Sequence, residues 1–503
     1  MSRINTNINS LIAQRVVGQQ NANLSQSLQR LSTGYRINRG ADDPAGLIAS
    51  EVLRGEKASI SAAIGNAERA DQFVNVAEGG LNEINALLVE VQSLVGQSAN
   101  DAGLSQEEKE ANQLQIDNIL QTIDRIASTT SFQGSKLLNG SFDFQVTGQG
   151  ANVTNLTVNN AKLDGTNNVA VTALVTQSAQ HGTLFLSVGA AALDLSAADA
   201  DFSFELAGIE GSKSFSFGSG ATLASIATQI NTFKDVTGVS AVASGNYIEL
   251  KSTEFGKDEF VSLNVTNAGG QAGGVKLGSA LNEAALNSAA GTAFTAITTP
   301  IRDEGQDIAG TINGTKALGK GTNLSINSET LALNATLNAT GATTLGTQAI
   351  VTITGGGAKF NLGAEVNLNN QVQLGIQNAS STALGKSTLD GTSYSLSDLA
   401  GAGSLNVIDG DSTKAQKVVN AAIKGVATQR GRLGAFQKNV VGSTINSLNV
   451  ALENISAAES TIRDTDFAKE TSELTRSQVL AAAANNVLSI ANAQPQSVLG
   501  LLG

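Results

Sequence analysis

The strongest constraint on this chain is an apolar pattern with a seven-residue repeat near both of its ends. Apolar residues alternate there in steps of four and three, which is the spacing of helices that pack lengthwise against a neighbour. In the N-terminal part the pattern is carried by Leu24, Leu28 and Leu31, and by Leu81, Ile84, Leu88 and Val91. In the C-terminal part it is carried by Val441, Ile445, Leu448, Leu452 and Ile455, and by Leu480, Ala483, Val487 and Ile490. The pattern predicts long helices at both ends.

The middle of the chain, roughly residues 140–405, follows another pattern. Short alternations of apolar and polar residues, separated by Gly, Asn and Ser clusters, indicate β-strands. Within residues 202–265, two alternating runs, a helical stripe and three more alternating runs predict a ββαβββ module. The predicted fold class is therefore multi-domain α+β. Both termini form a long antiparallel helical bundle or coiled coil, and β-rich outer domains are inserted between them.

Two helix starts can be read from capping residues. Asp43 can accept hydrogen bonds from the free amides of a first turn, and Pro44 loses none at the first helical position. We therefore expect a helix from Pro44 to about Asn100. A capping box, Ser105-Gln106-Glu107-Glu108, predicts the start of the next helix.

Composition excludes several classes of function. The chain has 31 Lys and Arg against 43 Asp and Glu, a net charge of −12, so it lacks the basic surface of a nucleic-acid binder. It has no Cys and one His, His181, so a thiolate metal site or a zinc-binding HExxH helix cannot form within it. We predict no catalytic residues, no metal or cofactor site, and no enzymatic activity. No apolar stretch approaches the ~18 residues that span a membrane, so no membrane insertion is expected.

The outermost segments, about 40 residues at each end, have the weakest helical patterns. Ser10, Gln14 and Asn21 interrupt the N-terminal seam, and Ala481 to Ala484 give the C-terminal one little apolar surface. Such helices bury too little surface alone to offset the loss of chain entropy. They are expected to fold when they meet each other or other copies, as in a self-assembling protein.

Several motifs resemble those of bacterial flagellin. The first runs from Leu31-Ser32-Thr33-Gly34-Tyr35-Arg36-Ile37-Asn38 to Ala41-Asp42-Asp43-Pro44-Ala45-Gly46-Leu47. Others are Phe132-Gln133-Gly134-Ser135-Lys136-Leu137-Leu138 and, near the C-terminus, Ala458-Glu459-Ser460-Thr461-Ile462-Arg463-Asp464. These matches cover about half of the chain, lie at both ends and keep their order. The 202–265 module also looks like a repeat often inserted in the middle of such proteins.

The resemblance implies a division into domains. Residues 1–42 and 461–503 would form the two halves of an inner helical domain, and residues 43–165 and 359–460 a core helical domain with a β-hairpin. Residues 166–358 would form variable β-rich outer domains. The family signature turn falls on Arg36, Asn38, Asp42, Asp43 and Pro44.

The resemblance also implies a function: a structural subunit that self-assembles into the extracellular flagellar filament for swimming. Its partners would be other copies of itself, the flagellar export apparatus, an export chaperone, and the filament cap and hook-junction proteins. Export would need no cleavable signal peptide. Assembly residues on the inner helices are expected to be Ile4, Ile8, Leu11, Leu24, Leu28, Leu31, Leu480, Val487 and Ile490.

One position departs from the family pattern. Flagellins that activate the animal flagellin-sensing Toll-like receptor typically carry Arg where this chain has Glu90, within a predicted receptor patch that includes Leu94. A reversed charge in a contact patch weakens binding through repulsion or unpaired groups. Weak activation of that receptor is therefore expected.

Two other functions remain as alternatives. A hook-filament junction protein would share both helical ends, although that family is generally shorter. An extracellular adhesin with a coiled-coil stalk would explain the β-rich middle but not the paired termini.

Overall fold

A computed structural model gives the fold of the chain. It describes residues 6–100, 103–163, 168–188, 192, 193, 195, 201–277, 291–389 and 391–499. Long helices at both ends and many strands between them give a multi-domain α+β architecture, as the sequence predicts.

The chain divides into two compact units. The terminal unit takes its described residues from Met1–Glu78, Phe360–Val372 and Arg430–Gly503. The middle unit takes its described residues from Gly79–Lys359 and Gln373–Gln429. Both ends of the chain thus belong to one unit.

The helices have the following bounds. The α-helices are α1 (Ile8–Thr33), α2 (Pro44–Ser98), α3 (Gln106–Thr129), α4 (Leu223–Thr232), α5 (Lys234–Thr237), α6 (Ala339–Thr343), α7 (Ser412–Ala435), α8 (Ser443–Arg463) and α9 (Phe467–Leu499). Short 3₁₀ turns occupy Phe294–Ala296, Leu368–Asn370 and Leu396–Leu399, and Phe436–Gly442 is a π-helix.

Both predicted helix starts are confirmed. The Asp43 carboxylate accepts a hydrogen bond from the Gly46 amide at 2.9 Å, and α2 begins at Pro44. Ser105 and Glu108 form the capping box of α3, with the Ser105 amide donating to the Glu108 carboxylate at 2.8 Å. Local hydrogen bonding therefore determines where these helices begin.

The helical part of the middle unit buries the stripes that the sequence marks as apolar. Leu81, Ile84, Leu88 and Val91 are fully buried on α2. On α3 the buried apolar residues are Ile116, Ile119, Leu120, Ile123 and Ala127. In the terminal unit, the Phe360 ring packs between Phe73, at 5.3 Å, and Phe436, at 6.1 Å between centroids.

The strands have the following bounds. They are β1 (Ser131–Phe132), β2 (Ser135–Lys136), β3 (Phe144–Thr147), β4 (Val153–Ala161), β5 (Val169–Gln177), β6 (Thr183–Ser187), β7 (Asp201–Ala207), β8 (Ser212–Gly218), β9 (Val239–Ser244), β10 (Tyr247–Ser252), β11 (Phe260–Asn267), β12 (Gly274–Leu277), β13 (Thr292–Ala293), β14 (Ile301–Glu304), β15 (Ala309–Ile312), β16 (Thr315–Lys320), β17 (Asn323–Asn327), β18 (Leu331–Leu337), β19 (Gly346–Gly356), β20 (Ala358–Asn361), β21 (Gln371–Leu374), β22 (Ser387–Leu389) and β23 (Thr392–Tyr394).

Three antiparallel sheets organise the β-rich part. An eight-stranded sheet has the order β3-β19-β5-β15-β16-β17-β18-β4. Two smaller sheets have the orders β13-β12-β6-β10-β9 and β14-β11-β7-β8. Together with α4 they enclose an apolar core of their own. Elements of the 202–265 segment thus lie in two sheets, and β6, β12, β13 and β14, outside that segment, complete them. Among the described helices, none is both long and apolar enough to cross a membrane.

Candidate assembly surface

Helices α1 and α9 pair in antiparallel fashion through small side chains. Near one end the Asn7 amide group donates to the Ala491 carbonyl at 2.7 Å, and near the other Arg30 and Glu470 form an ion pair at 3.6 Å. Besides Glu470, the buried residues of this contact are small: Ala13, Ser27, Ser477, Ala481, Ala484 and Ala491. Because these side chains are short, the two helices approach closely and bury little apolar surface. The pair is therefore held weakly within one chain.

The larger apolar side chains of the pair stay exposed. Of the expected assembly residues, Ile8, Leu11, Leu28, Leu480, Val487 and Ile490 have exposed fractions from 43% to 68%. Leu24 and Leu31 are half-buried. Ile4 lies outside the described residues. A surface with this many exposed branched side chains on paired helices is typical of a protein–protein contact.

Part of this surface forms a groove of about 530 Å³ along the helix pair. Ile12 and Val16 line it from α1, and Leu480, Val487 and Ile490 line it from α9. From the sequence we expected Leu480, Ala483, Val487 and Ile490 to complete a seam when the two ends meet each other or meet other copies of the chain. Within the chain, the contact with α1 uses the neighbouring stripe of Ala481, Ala484 and Ala491. The larger side chains are consequently turned toward solvent.

Ile12 and Val16 line the groove but are not among the residues expected from the sequence. They follow Ile8 at successive intervals of four residues, which places all three along one side of α1. This i, i+4, i+8 spacing is a signal that could have found them. A strict four-three alternation does not include these positions.

The signature turn connects the two ends of the chain in the terminal unit. The Arg36 amide donates to the Arg463 carbonyl at 2.7 Å, and its guanidinium donates to the Ile462 carbonyl at 2.6 Å. That guanidinium also lies 3.5 Å from the Asp43 carboxylate, an ion pair. In addition, the Thr465 amide donates to the Gly34 carbonyl at 2.9 Å. The turn that follows α1 is thus bonded to the turn that precedes α9.

Asp42 shapes this turn from inside. Its carboxylate accepts hydrogen bonds from the Arg39 amide at 2.8 Å, the Asn38 amide at 3.0 Å and the Gln26 side chain at 3.1 Å. These bonds, the one from Arg39 above all, lower the pKa of the Asp42 carboxyl below its ordinary value. The Asn38 amide group donates to the Tyr35 carbonyl at 2.8 Å. The polar residues of the signature therefore fix a backbone conformation.

The two residues of the expected receptor patch differ in exposure. Glu90 is exposed on α2, whereas Leu94 is buried. A partner at this face could contact the Glu90 carboxylate directly but would find the Leu94 side chain covered.

Family models match both ends of the chain and part of its middle. Residues 4–143 match the bacterial flagellin N-terminal helical region, and residues 416–502 match the bacterial flagellin C-terminal helical region. Residues 201–254 match the flagellin hook IN motif. The chain belongs to the bacterial flagellin family. It is accordingly a structural subunit of the bacterial flagellar filament, which lies outside the cell.

Curated relatives carry the same name over their whole length. Flagellin B of Vibrio anguillarum is 26% identical over 503 residues, which cover 99% of each chain. Flagellin B of Helicobacter pylori is 29% identical over 535 residues, again covering 99% of each chain. These matches do not favour the junction-protein or adhesin alternatives over the filament subunit.

Among solved structures, FliC from Burkholderia pseudomallei matches 73% of this flagellin and 99% of its own chain, at 16% sequence identity. The TM-score of 0.22 is low, so this likeness carries no argument about the fold. Among the described residues, no group of three or more His, Cys, Asp or Glu side chains could hold a metal ion.

Proposed function

We propose that the exposed apolar surface of α1 and α9 is the surface through which flagellin subunits pack against each other in the filament. The observation that carries this proposal is the groove lined by Ile12, Val16, Leu480, Val487 and Ile490. Burying such side chains yields about 25 cal/mol per Å² of apolar area. In a monomer this gain is absent, so the groove favours association.

The geometry of the surface also fits an open polymer. The groove lies on one side of the α1–α9 pair, and a second copy that fills it with a different face leaves its own groove free for a third. A contact of this heterologous kind generates a helical filament when its rotation does not close into a ring. The expected assembly residues of the inner helices, Ile4 included, belong to this proposal.

The first test places charge in the groove. Val487→Asp combined with Ile490→Asp would bury two carboxylates in an apolar contact, which costs several kcal/mol per unpaired charge. We expect the monomer concentration needed for growth on filament seeds to rise by at least about tenfold, since tenfold corresponds to ~1.4 kcal/mol. Seeded growth would be followed by electron microscopy and light scattering.

A matched control carries the same charge on another face of α9. Asn485 and Ser489 are exposed and lie away from the groove, so Asn485→Asp with Ser489→Asp adds equal negative charge. We expect this variant to grow like the unaltered chain. If both variants lost growth equally, net charge would be the cause and the groove would be excluded.

Several finer features accompany the proposed assembly. We infer that the subunit leaves the cell through the flagellar export apparatus, with a chaperone and without a cleavable signal peptide. It would meet the filament cap and the hook-junction proteins on arrival. The inner, core and outer domain boundaries inferred from the resemblance belong to the same proposal. So does the absence of enzymatic activity, because a filament subunit needs no catalytic site.

The proposal includes weak recognition by the flagellin-sensing Toll-like receptor. The exposed Glu90 carboxylate presents a negative charge where activating relatives carry Arg. We expect Glu90→Arg to raise the potency of purified monomer by about tenfold in reporter cells, since relieving a like-charge contact is worth ~1.4 kcal/mol or more.

The control for the receptor test is Glu56→Arg, an equal charge reversal at another exposed position of α2. It should leave potency unchanged. Strong signalling by the unaltered monomer would contradict the prediction directly.

A further inference from the structure

The β-rich part of the middle unit contains two apolar cores joined by a narrow connection. One core, with Phe202 and Phe204, belongs to residues 183–304, here called the module. The other core lies on the eight-stranded sheet, here called the sheet domain. The chain enters and leaves the module through Gln180 and Gln306, whose amides and carbonyls bond each other at 2.9 Å in both directions. A connection through this single bridge would allow the module to turn unless another contact holds it.

A loop of the module supplies that contact. Residues 253–259, here called the clasp loop, reach the sheet domain, where the Phe255 side chain packs against the core. The Asp307 carboxylate accepts hydrogen bonds from the Lys257 amide at 3.0 Å and the Gly321 amide at 2.8 Å. One carboxylate oxygen of Asp307 therefore accepts hydrogen bonds from both the clasp loop and the sheet domain.

His181 lies beneath this loop. Its ring centroid is 3.7 Å from that of Phe255, and its Nδ1 donates to the Glu254 carbonyl at 3.1 Å. The ring is half-buried. It is the one histidine of the chain, and it stands next to Gln180 at the entry to the module. A single titrating ring therefore contacts both the connection and the clasp loop.

We propose that His181 makes the clasp acid-sensitive: protonation of its ring releases residues 253–259 from the sheet domain and frees the module to reorient about Gln180 and Gln306. The orientation of the module would then respond to the pH outside the cell. This inference does not depend on the assembly surface of α1 and α9.

The direction of the pH effect on closure follows from the surroundings of the His181 ring. Burial is the main cause that lowers the pKa of His181 below 6.5, and the Lys251 ammonium acts in the same direction. Hydrogen bonding to the carbonyls of Glu254 and Ser252, and the Glu249 carboxylate, act against it. The aromatic face of Phe255 also attracts a cation. Because the net pKa is lowered in the closed state, closure is favoured above pH 6.5 and weakens as the pH falls from there toward the lowered pKa.

Nearby carboxyls act against opening of the clasp loop as the solution becomes more acidic. Burial raises the pKa of Asp303 and of Glu259, so protonation of these groups favours the closed state. Their protonation therefore opposes opening at the acidic end of the pH range. The charged groups at the joint are Lys251, Glu249, Glu254, Lys257, Asp258, Glu259, Asp303, Glu304, Asp307 and Lys320. Opening is therefore expected as the pH falls below the ordinary histidine pKa, with the two carboxyls opposing it on further acidification.

Hydrogen exchange of the full-length monomer at pH 7.5 and 5.5, corrected for intrinsic rates, tests the proposal. Peptides covering residues 253–259 and 303–309 should lose protection at pH 5.5, with an opening equilibrium that rises by up to about tenfold per pH unit below 6.5. Peptides from β7 and α4 in the module core should not change. His181→Phe keeps an aromatic contact but cannot titrate, so its protection should be equal at both pH values.

Four results would overturn the proposal. Protection of the clasp loop could stay constant in the unaltered chain, or His181→Phe could lose it at pH 5.5 just as the unaltered chain does. The single histidine resonance, followed by NMR, could also titrate at or above 6.5. If His181→Phe does not fold, His181→Gln serves, because an uncharged amide cannot titrate either. Loss of protection across the whole module would indicate unfolding and would equally contradict a local clasp.

Discussion

A chain that ends at Arg463 will not grow on filament seeds. Removing residues 464–503 deletes α9, and with it Leu480, Val487 and Ile490 of the groove. The effect should exceed the loss of those side chains, because α1 depends on α9 for its seam. Most helical stability in proteins comes from tertiary packing of one helix face, and the seam of α1 is packed against α9. We therefore expect α1 to unfold in the truncated monomer.

Two measurements separate these effects. Electron microscopy after incubation with seeds reports filament growth, which should be absent. Hydrogen exchange of peptides from Ile8–Thr33 reports whether α1 is folded; in the truncated monomer these amides should have lost their protection before any seeds are added. If the truncated chain still formed long uniform filaments, the terminal helices would not be the assembly element.

A deletion elsewhere provides the control. The ends of the module lie close together, with the Thr183 amide donating to the Asp303 carboxylate at 2.8 Å. A short Gly-Ser linker can therefore replace residues 183–304 without stretching the sheet domain. We expect this larger deletion to leave seeded growth intact, which would show that growth fails specifically without α9.

The seam between α1 and α9 shows where sequence reasoning stops. Two stripes of α9 run side by side with similar spacing, one of Ala481, Ala484 and Ala491 and one of Leu480, Val487 and Ile490. Their spacing alone does not distinguish the two stripes. The greater hydrophobicity of the larger residues makes their stripe the expected one. In the structure, close approach and the bond from Asn7 select the small ones. The helices were predictable, whereas the face used within the chain was not.

Features set by neighbouring residues, such as helix starts, could be predicted from the sequence better than features set by residues far apart in the chain, such as strand pairing. Asp43 and Ser105 gave the starts of α2 and α3 because a cap depends on residues within one turn. Strand partners depend on chain closure over long distances, such as β3 with β19 and β4 with β18. An alternating run shows which face is buried but not which strand lies beside it. The eight-stranded sheet was therefore beyond the sequence analysis.

Alanine at two adjacent glycines of α2 will change stability in opposite directions. A Cβ at Gly79 would meet no atom within 4 Å, so Gly79→Ala should gain about 1 kcal/mol of helix propensity. A Cβ at Gly80 would lie 2.8 Å from Leu138 and 2.9 Å from the Thr130 hydroxyl. Leu138 is fully buried, so it has little room to move. Overpacking of this kind costs about 1–3 kcal/mol.

Thermal unfolding of the two monomeric variants measures the difference, because both changes add the same methyl group to the same helix. The variant Gly80→Ala should melt lower than Gly79→Ala, with Gly79→Ala at or above the unaltered chain. Shortening the neighbour, in Gly80→Ala with Leu138→Val, should recover part of the loss only if contact is its cause. Equal stability of the two single variants would mean that α2 does not approach the 130–138 turn as closely as the structure places it. Gly80 thus permits α2 to approach the 130–138 turn closely. A side chain at this position would separate the helix from the turn.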